Sequence, residues 1–260
     1  MNEVISWLES QYPAVFAEDW DNVGFLVGDD KKEVHHVFLA LDLTEGTLEQ
    51  AIHAGADMIV THHPMIFGGM KRINNHDFIG RKVLSLIQNV IQYYAMHTNY
   101  DILGMADLSA DLLELQERSV LSVTGERDGK KEGIGRVGKL SHRMTLEECA
   151  GLVKRAFSLP DVKVYGNLTA EVERAAICTG SGKSLMKDVL ASGAQVYVTG
   201  DIDHHTALDA LDQGVCLIDA GHYGTEYIFM EAMKQRFQEK FPELQISCAK
   251  VQQPYTLIIE

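Results

Sequence analysis

Gly55-Ala56, followed after three residues by Val60-Thr61, recurs with identical spacing as Gly193-Ala194 and Val198-Thr199. Each copy lies at the end of a helix-patterned segment and runs into a short apolar stretch. A second correspondence follows in the same order: Val90, His97 and Asp101 match Val215, His222 and Glu226. A repeat spanning a helix end, a glycine stop and two apolar runs constrains the fold more than any single motif, because each copy must bury the same face. Helices alternating with short apolar runs predict parallel strands joined by right-handed crossovers. The expected class is α/β, with two similar α/β domains forming an internal repeat.

The first copy shows the unit in detail. Val37 to Leu41 is a buried-strand run, Thr47 to His53 a helix with Leu48 and Ile52 on one face, and Met58 to Val60 the next strand. Gly55 closes the helix. Residues 37–62 are thus a β-α-β unit. Its connection to the following strand is longer than in the second copy, which matches the extra loop after Pro64 with Gly68-Gly69. Gly125 to Lys131 is polar and contains glycine, the best place for a domain boundary. The expected domains are residues 1–127 and 128–260, with the C-terminal strand packing back on the first.

Two glycine-rich stretches resemble nucleotide motifs and fail on context. Gly133-Ile134-Gly135-Arg136-Val137-Gly138 matches the dinucleotide fingerprint, but no strand precedes it and no helix opens at its third glycine. Gly180-Ser181-Gly182-Lys183-Ser184 resembles the end of a P-loop, yet the required first glycine would fall at Ile177. It reads as a turn into a helix whose N–H groups, with Lys71-Arg72 elsewhere, are candidates for holding an anion.

A net charge of −14 over 260 residues argues against nonspecific binding to nucleic acid or anionic membrane. The four cysteines, Cys149, Cys178, Cys216 and Cys248, form no Cys-x-x-Cys pair, so buried free thiols in a reducing compartment are expected. Neither a signal-peptide pattern nor an 18-residue apolar span is present, which predicts a soluble, cytoplasmic protein.

The chemistry concentrates at strand ends. His62-His63-Pro64 closes the apolar run Met58-Ile59-Val60. Open α/β sheets place ligands beyond such ends. The pair alone fits either metal ligation or a polar turn. With the repeat, His62, His63, Asp101, His222 and Glu226 offer three imidazoles and two carboxylates from strand ends or adjoining turns. That is too many for an open mononuclear zinc site, but suits two divalent ions (Zn, Mn, Fe or Ni) sharing a carboxylate and a bridging water. His97 and His205 are the candidate catalytic proton carriers. His35-His36 read as surface residues.

In combination and order, Asp21-Asn22-Val23-Gly24, Thr61-His62-His63-Pro64, His97-Thr98-Asn99-Tyr100-Asp101, Thr199-Gly200-Asp201 and Gly221-His222-Tyr223-Gly224-Thr225-Glu226 resemble the Nif-three-like proteins, also called GTP cyclohydrolase 1 type 2 homologues. The resemblance covers essentially the whole chain, in the short form without an inserted domain. It implies two interlinked α/β domains with a dinuclear metal site in the cleft between them, ligands at the five residues above, and a ring-shaped homohexamer. The expected function is a dinuclear metal hydrolase. A metal-bridging hydroxide would open the imidazole ring of a purine nucleotide such as GTP. The alternatives are a metal-dependent phosphoesterase and a non-enzymatic metal-binding regulatory or scaffold protein. The loop Met65 to Asn75 is too apolar to be free and is expected near the site or a subunit contact.

Overall fold

Each of the strands β2 (His36–Ala40), β3 (Met58–Thr61) and β4 (Gln92–Ala95) is buried along its whole length, as continuous apolar runs in a parallel sheet should be. The computed structural model describes residues 2–250, 253–256 and 258. The chain divides into two units, Met1–Tyr100 with Tyr227–Glu260, and Asp101–Glu226. The division does not fall at residue 127.

The first unit holds a five-stranded sheet, order β1-β4-β3-β2-β11, with β1 (Gly24–Val27) antiparallel to β4 and the rest parallel. Strand β11 (Gln245–Cys248) pairs with β2. Helices α1 (Asn2–Gln11), α2 (Glu45–His53), α3 (Phe78–Gln88), the single turn α4 (Thr98–Tyr100) and α10 (Ile228–Lys240) complete the unit. Thr44 caps α2 in a reciprocal box with Thr47, and Gly55 follows the helix at φ +69°. One expectation fails here. His36 is buried, not a surface residue, because β11 arrives from the far end of the chain; His36 Nε2 lies 2.6 Å from Ser247 Oγ.

The second unit opens with a π-helical turn at Asp101–Met105 and α5 (Ala106–Leu112). Its six-stranded sheet runs β5-β6-β8-β9-β10-β7. Strands β8 (Glu171–Ser181), β9 (Val196–Gly200) and β10 (Cys216–Asp219) are parallel, and β7 (Lys163–Tyr165) is antiparallel to β10. Strands β5 (Gln116–Arg127) and β6 (Lys130–Thr145) form a long hairpin. Gly125 to Lys131, read above as a linker, is therefore the hairpin tip. The fingerprint-like glycines lie inside β6: a Cβ at Gly133 would stand 2.0 Å from the Ser122 carbonyl oxygen, and one at Gly138 2.6 Å from that of Gln116. They permit close strand approach. Helices α6 (Leu146–Ala156), α7 (Met186–Ser192), α8 (His204–Asp212) and α9 (His222–Glu226) join the strands. Thr145 caps α6 in a box with Glu148, and Gly193 ends α7 at φ +71°. Ala176, Val189, Ala194, Tyr197, Ala207 and Leu217 pack in one buried cluster of this unit.

Candidate metal centre

In the first unit the strand-end loop after β3 is fixed by a buried hydroxyl pair. Thr61 Oγ1 and Tyr93 Oη lie 2.8 Å apart; both donate to the His63 carbonyl, at 2.8 and 3.2 Å, and Tyr93 Oη accepts from Met65 N at 2.8 Å. Burial pushes the Tyr93 hydroxyl up to about 12, so it remains a protonated donor. The backbone amides of His62 and His63 continue the ladder onto Ala40 and Leu41. The two histidines are thus presented from a rigid backbone.

Every imidazole in this cluster is oriented through Nδ1. His62 Nδ1 lies 3.0 Å from the Met96 carbonyl oxygen, His63 Nδ1 2.8 Å from Asp42 Oδ1, and His97 Nδ1 2.9 Å from Asp21 Oδ1. Carbonyl and carboxylate oxygens only accept, so Nδ1 is the donor in each ring and Nε2 is the nitrogen left for a metal ion. His62, His63 and His97 each offer a ring nitrogen, all within 4.8 Å of one another. His62 is fully buried. Burial alone would raise Asp21, but hydrogen bonds from the His97 side chain and from the Thr98 side chain and backbone, with His97 charge, bring it down to about 2.

The second unit repeats the device with different residues. His222 Nδ1 lies 2.8 Å from Asp201 Oδ2, and its Nε2 3.1 Å from Glu226 Oε2, one helical turn along α9. Asp201 adopts φ +57°, unusual outside glycine, where its carboxylate meets the ring. Carboxylate oxygens of Asp101 and Glu226 lie within 4.8 Å of each other. Glu226 is buried, and Gly180 is the reason it fits: at φ +64°, a Cβ there would stand 2.1 Å from Glu226 Oε1. Burial, then the charges of Asp101 and Glu226, push the neighbouring Cys178 thiol well up, so it stays protonated and is no ligand here.

Of the seven candidate residues, six fall into these clusters. His205 does not: it is exposed on α8, its ring 5.3 Å from that of His204, and belongs to none of the donor groups. In the turn Gly180 to Ser184 the amides of Gly180 and Gly182 are taken by Thr225 Oγ1 and Thr199 Oγ1, each at 2.9 Å. Asp21, Asp42, Asp201 and Tyr93 were not singled out as orienting residues from the sequence. For three of them the signal was an acid beside a strand end or in a turn motif. Tyr93 gave none.

The donor types fit a borderline divalent cation: imidazole nitrogens, each ring backed by a carboxylate or carbonyl, with carboxylate oxygens beside them. These His, Asp and Glu groups are potential metal ligands. No helix among the described residues is long and apolar enough to cross a membrane.

Comparisons with known proteins identify the family. The family model Duf34/NIF3 (NGG1p interacting factor 3) matches residues 1–254. A GTP cyclohydrolase 1 type 2 homolog of Clostridium perfringens is 32% identical over 242 residues, 92% of each chain. Another of that name, from Streptococcus pneumoniae, is 37% identical over 236 residues, covering 88% of this chain and 87% of that one. The crystal structure of a Bacillus cereus protein related to NIF3 superposes with a TM-score of 0.89 at 25% identity, covering 98% of both chains. By sequence and by fold, the chain belongs to the DUF34/NIF3 family.

Proposed function

We propose that the donors of both units together hold two divalent ions and that the protein is a metal-dependent hydrolase. The observation that carries this reading is the uniform orientation of four histidines through Nδ1, three of them by carboxylates, which turns Nε2 to ligation in His62, His63 and His97 and sets that of His222 beside a second donor, Glu226. Each unit supplies three donors, His62, His63 and His97 in one and Asp101, His222 and Glu226 in the other. Three donors leave a tetrahedral shell incomplete, and five of these six shared between two ions keep positions for water and substrate. We assign His62, His63, Asp101, His222 and Glu226 as ligands and His97 as the proton carrier. Such a pair, when bound, acidifies water and polarises a substrate oxygen or imine.

The chain's own residues set the rest. Asp42, Asp21 and Asp201 fix ring tautomers. Tyr93 and Thr61 hold the His63 backbone, and His97, on the buried acid Asp21, is placed to take or return a proton. The family name of the relatives points to a purine nucleotide such as GTP, with ring opening as the reaction. We further read the two units as copies of one α/β module, and the protein as a cytoplasmic homohexamer. Metal-reconstituted protein should turn over at least one member of a nucleotide and phosphoester panel, and His62→Ala should not. Equal turnover by both proteins would remove the metal site from the reaction.

A further inference from the structure

Beside His97, within the first unit, lies an open cavity of about 640 Å³. Its wall contains two aromatic rings that the proposed chemistry has not used, Trp20 and Phe67. Both are unusually exposed for their size, at 60% and 53%. Both also touch the His97 imidazole, with ring centroids 5.7 and 6.0 Å away and interplanar angles of 76° and 79°. The same two rings thus belong to the cavity wall and to the surroundings of the histidine cluster. The cavity is also built before any ligand arrives: Asn22 Nδ2 donates to the Ile66 carbonyl at 2.6 Å and ties the loop bearing Phe67 to the turn bearing Trp20. Asp21, which orients His97, lies in the same wall.

Two exposed aromatic rings in a concave wall favour a flat, polarisable partner. The charge of the wall selects further. Its ionisable residues are Asp19 and Asp21, and no lysine or arginine lines it, so a phosphate would be repelled. Asp21 is engaged by His97 and Thr98, whereas Asp19 is exposed at the rim, where its carboxylate can accept hydrogen bonds. A planar ring carrying adjacent N–H donors satisfies both features, with the rings covering its faces and the carboxylate reading its edge.

We propose that this cavity is the subsite for an amino-bearing heteroaromatic ring of the substrate, packed on Trp20 and Phe67 with Asp19 accepting from its N–H edge, the phosphates lying outside it. This rests on the metal-hydrolase reading for its setting, but binding of the ring itself requires no ion. It places the base of a nucleotide against His97, and makes Trp20, Phe67 and Asp19 specificity-determining residues.

The test uses the full chain and guanosine, which has the ring and its donors but no phosphate. Binding is followed by tryptophan fluorescence and calorimetry, with and without chelator, and metal content is measured on the same samples. Guanosine should bind with or without metal. Phe67→Ala and Trp20→Ala should each weaken it at least tenfold, with calorimetry as the readout for the second. Asp19→Asn should weaken guanosine at least fivefold while barely changing inosine, which lacks the 2-amino group. Inorganic phosphate should not compete, and His62→Ala should lose metal yet keep guanosine. Because Trp20 and Phe67 are exposed, circular dichroism should show the variants folded. Metal uptake without guanosine binding at millimolar concentration overturns the subsite alone. So do variants at Phe67 and Asp19 that bind as the parent does. Guanosine binding without metal uptake overturns the metal reading alone.

Discussion

The two sheets share a run of four strands, β1-β4-β3-β2 in one unit and β7-β10-β9-β8 in the other, each with an antiparallel strand beside three parallel ones. At matching strand ends, however, they carry different chemistry. After Thr61 the first unit reads His62-His63; after Thr199 the second reads Gly200-Asp201. The residue that supplies an imidazole in one unit supplies, in the other, the carboxylate that orients one. Gly200 has its own constraint, since a Cβ there would stand 2.5 Å from the His222 backbone nitrogen. Beyond the next strand each copy has a histidine followed four residues later by an acid, His97 with Asp101, which is the first residue of the second unit, and His222 with Glu226. The order and direction of four strands are alike, and the strand ends are where the two units differ.

The strongest way to break this comparison is to remove a donor from each side. His63→Ala and Glu226→Gln should each weaken metal binding more than about 100-fold, beyond what loss of an orienting partner does. Calorimetric titration with Zn or Mn measures it; an effect confined to one of them would mean the other donor is structural. Next in size are the orienting acids. Asp42→Asn and Asp201→Asn should each lower metal affinity about 10–100-fold, by releasing His63 and His222. If Asp201→Asn were neutral, the second unit would not use the device seen in the first.

Glycines sharpen the contrast at smaller cost. Gly55 and Gly193 close equivalent helices at φ +69° and +71° with open space around them. Alanine at either should therefore destabilise by about 1–2 kcal/mol, from the left-handed backbone alone. Gly180→Ala adds a clash with the Glu226 carboxylate and should cost more, with a loss of metal binding that the helix-end variants do not show. Urea unfolding and metal titration on the three variants separate the two effects.

The smallest effect is in acid. Asp21 is held below its ordinary value of 3.8, at about 2, so its ionised form favours the folded state. That stability is fully present above about pH 4 and is lost as pH falls through 2. Asp21→Asn should be less stable at neutral pH and show a flatter stability profile between pH 4 and 2. Parallel profiles would mean that the carboxylate is not ionised against His97.

What could be read from the sequence was what depends on near neighbours. The β-α-β pattern, the caps at Thr44 and Thr145 and the glycine after each helix are set within a few residues. So was the clustering of His62, His63, His97, Asp101, His222 and Glu226 in groups that could hold a metal, because histidines and acids at strand ends are informative by position. What escaped depended on partners distant in the chain. His36 looked exposed beside charged neighbours, and only the pairing of β2 with β11 buries it. Gly125 to Lys131 has linker composition but turns a hairpin whose length is set by β5 and β6 together. Asp21 meets His97 across most of the first unit, and Tyr93 reaches Thr61 and Met65 from the adjoining strand. His205 shared the type and strand-end setting of the others, but α8 carries it to the exposed side.

The most direct measurement is metal stoichiometry by mass spectrometry of the intact protein, purified after saturation with one divalent metal and desalted. Donors from both units serving one pair of ions predict about two ions per chain, and a fall well below one in both His63→Ala and Glu226→Gln with folding intact. Retention of two ions by either folded variant, or no stable ion in the parent protein, would contradict the account.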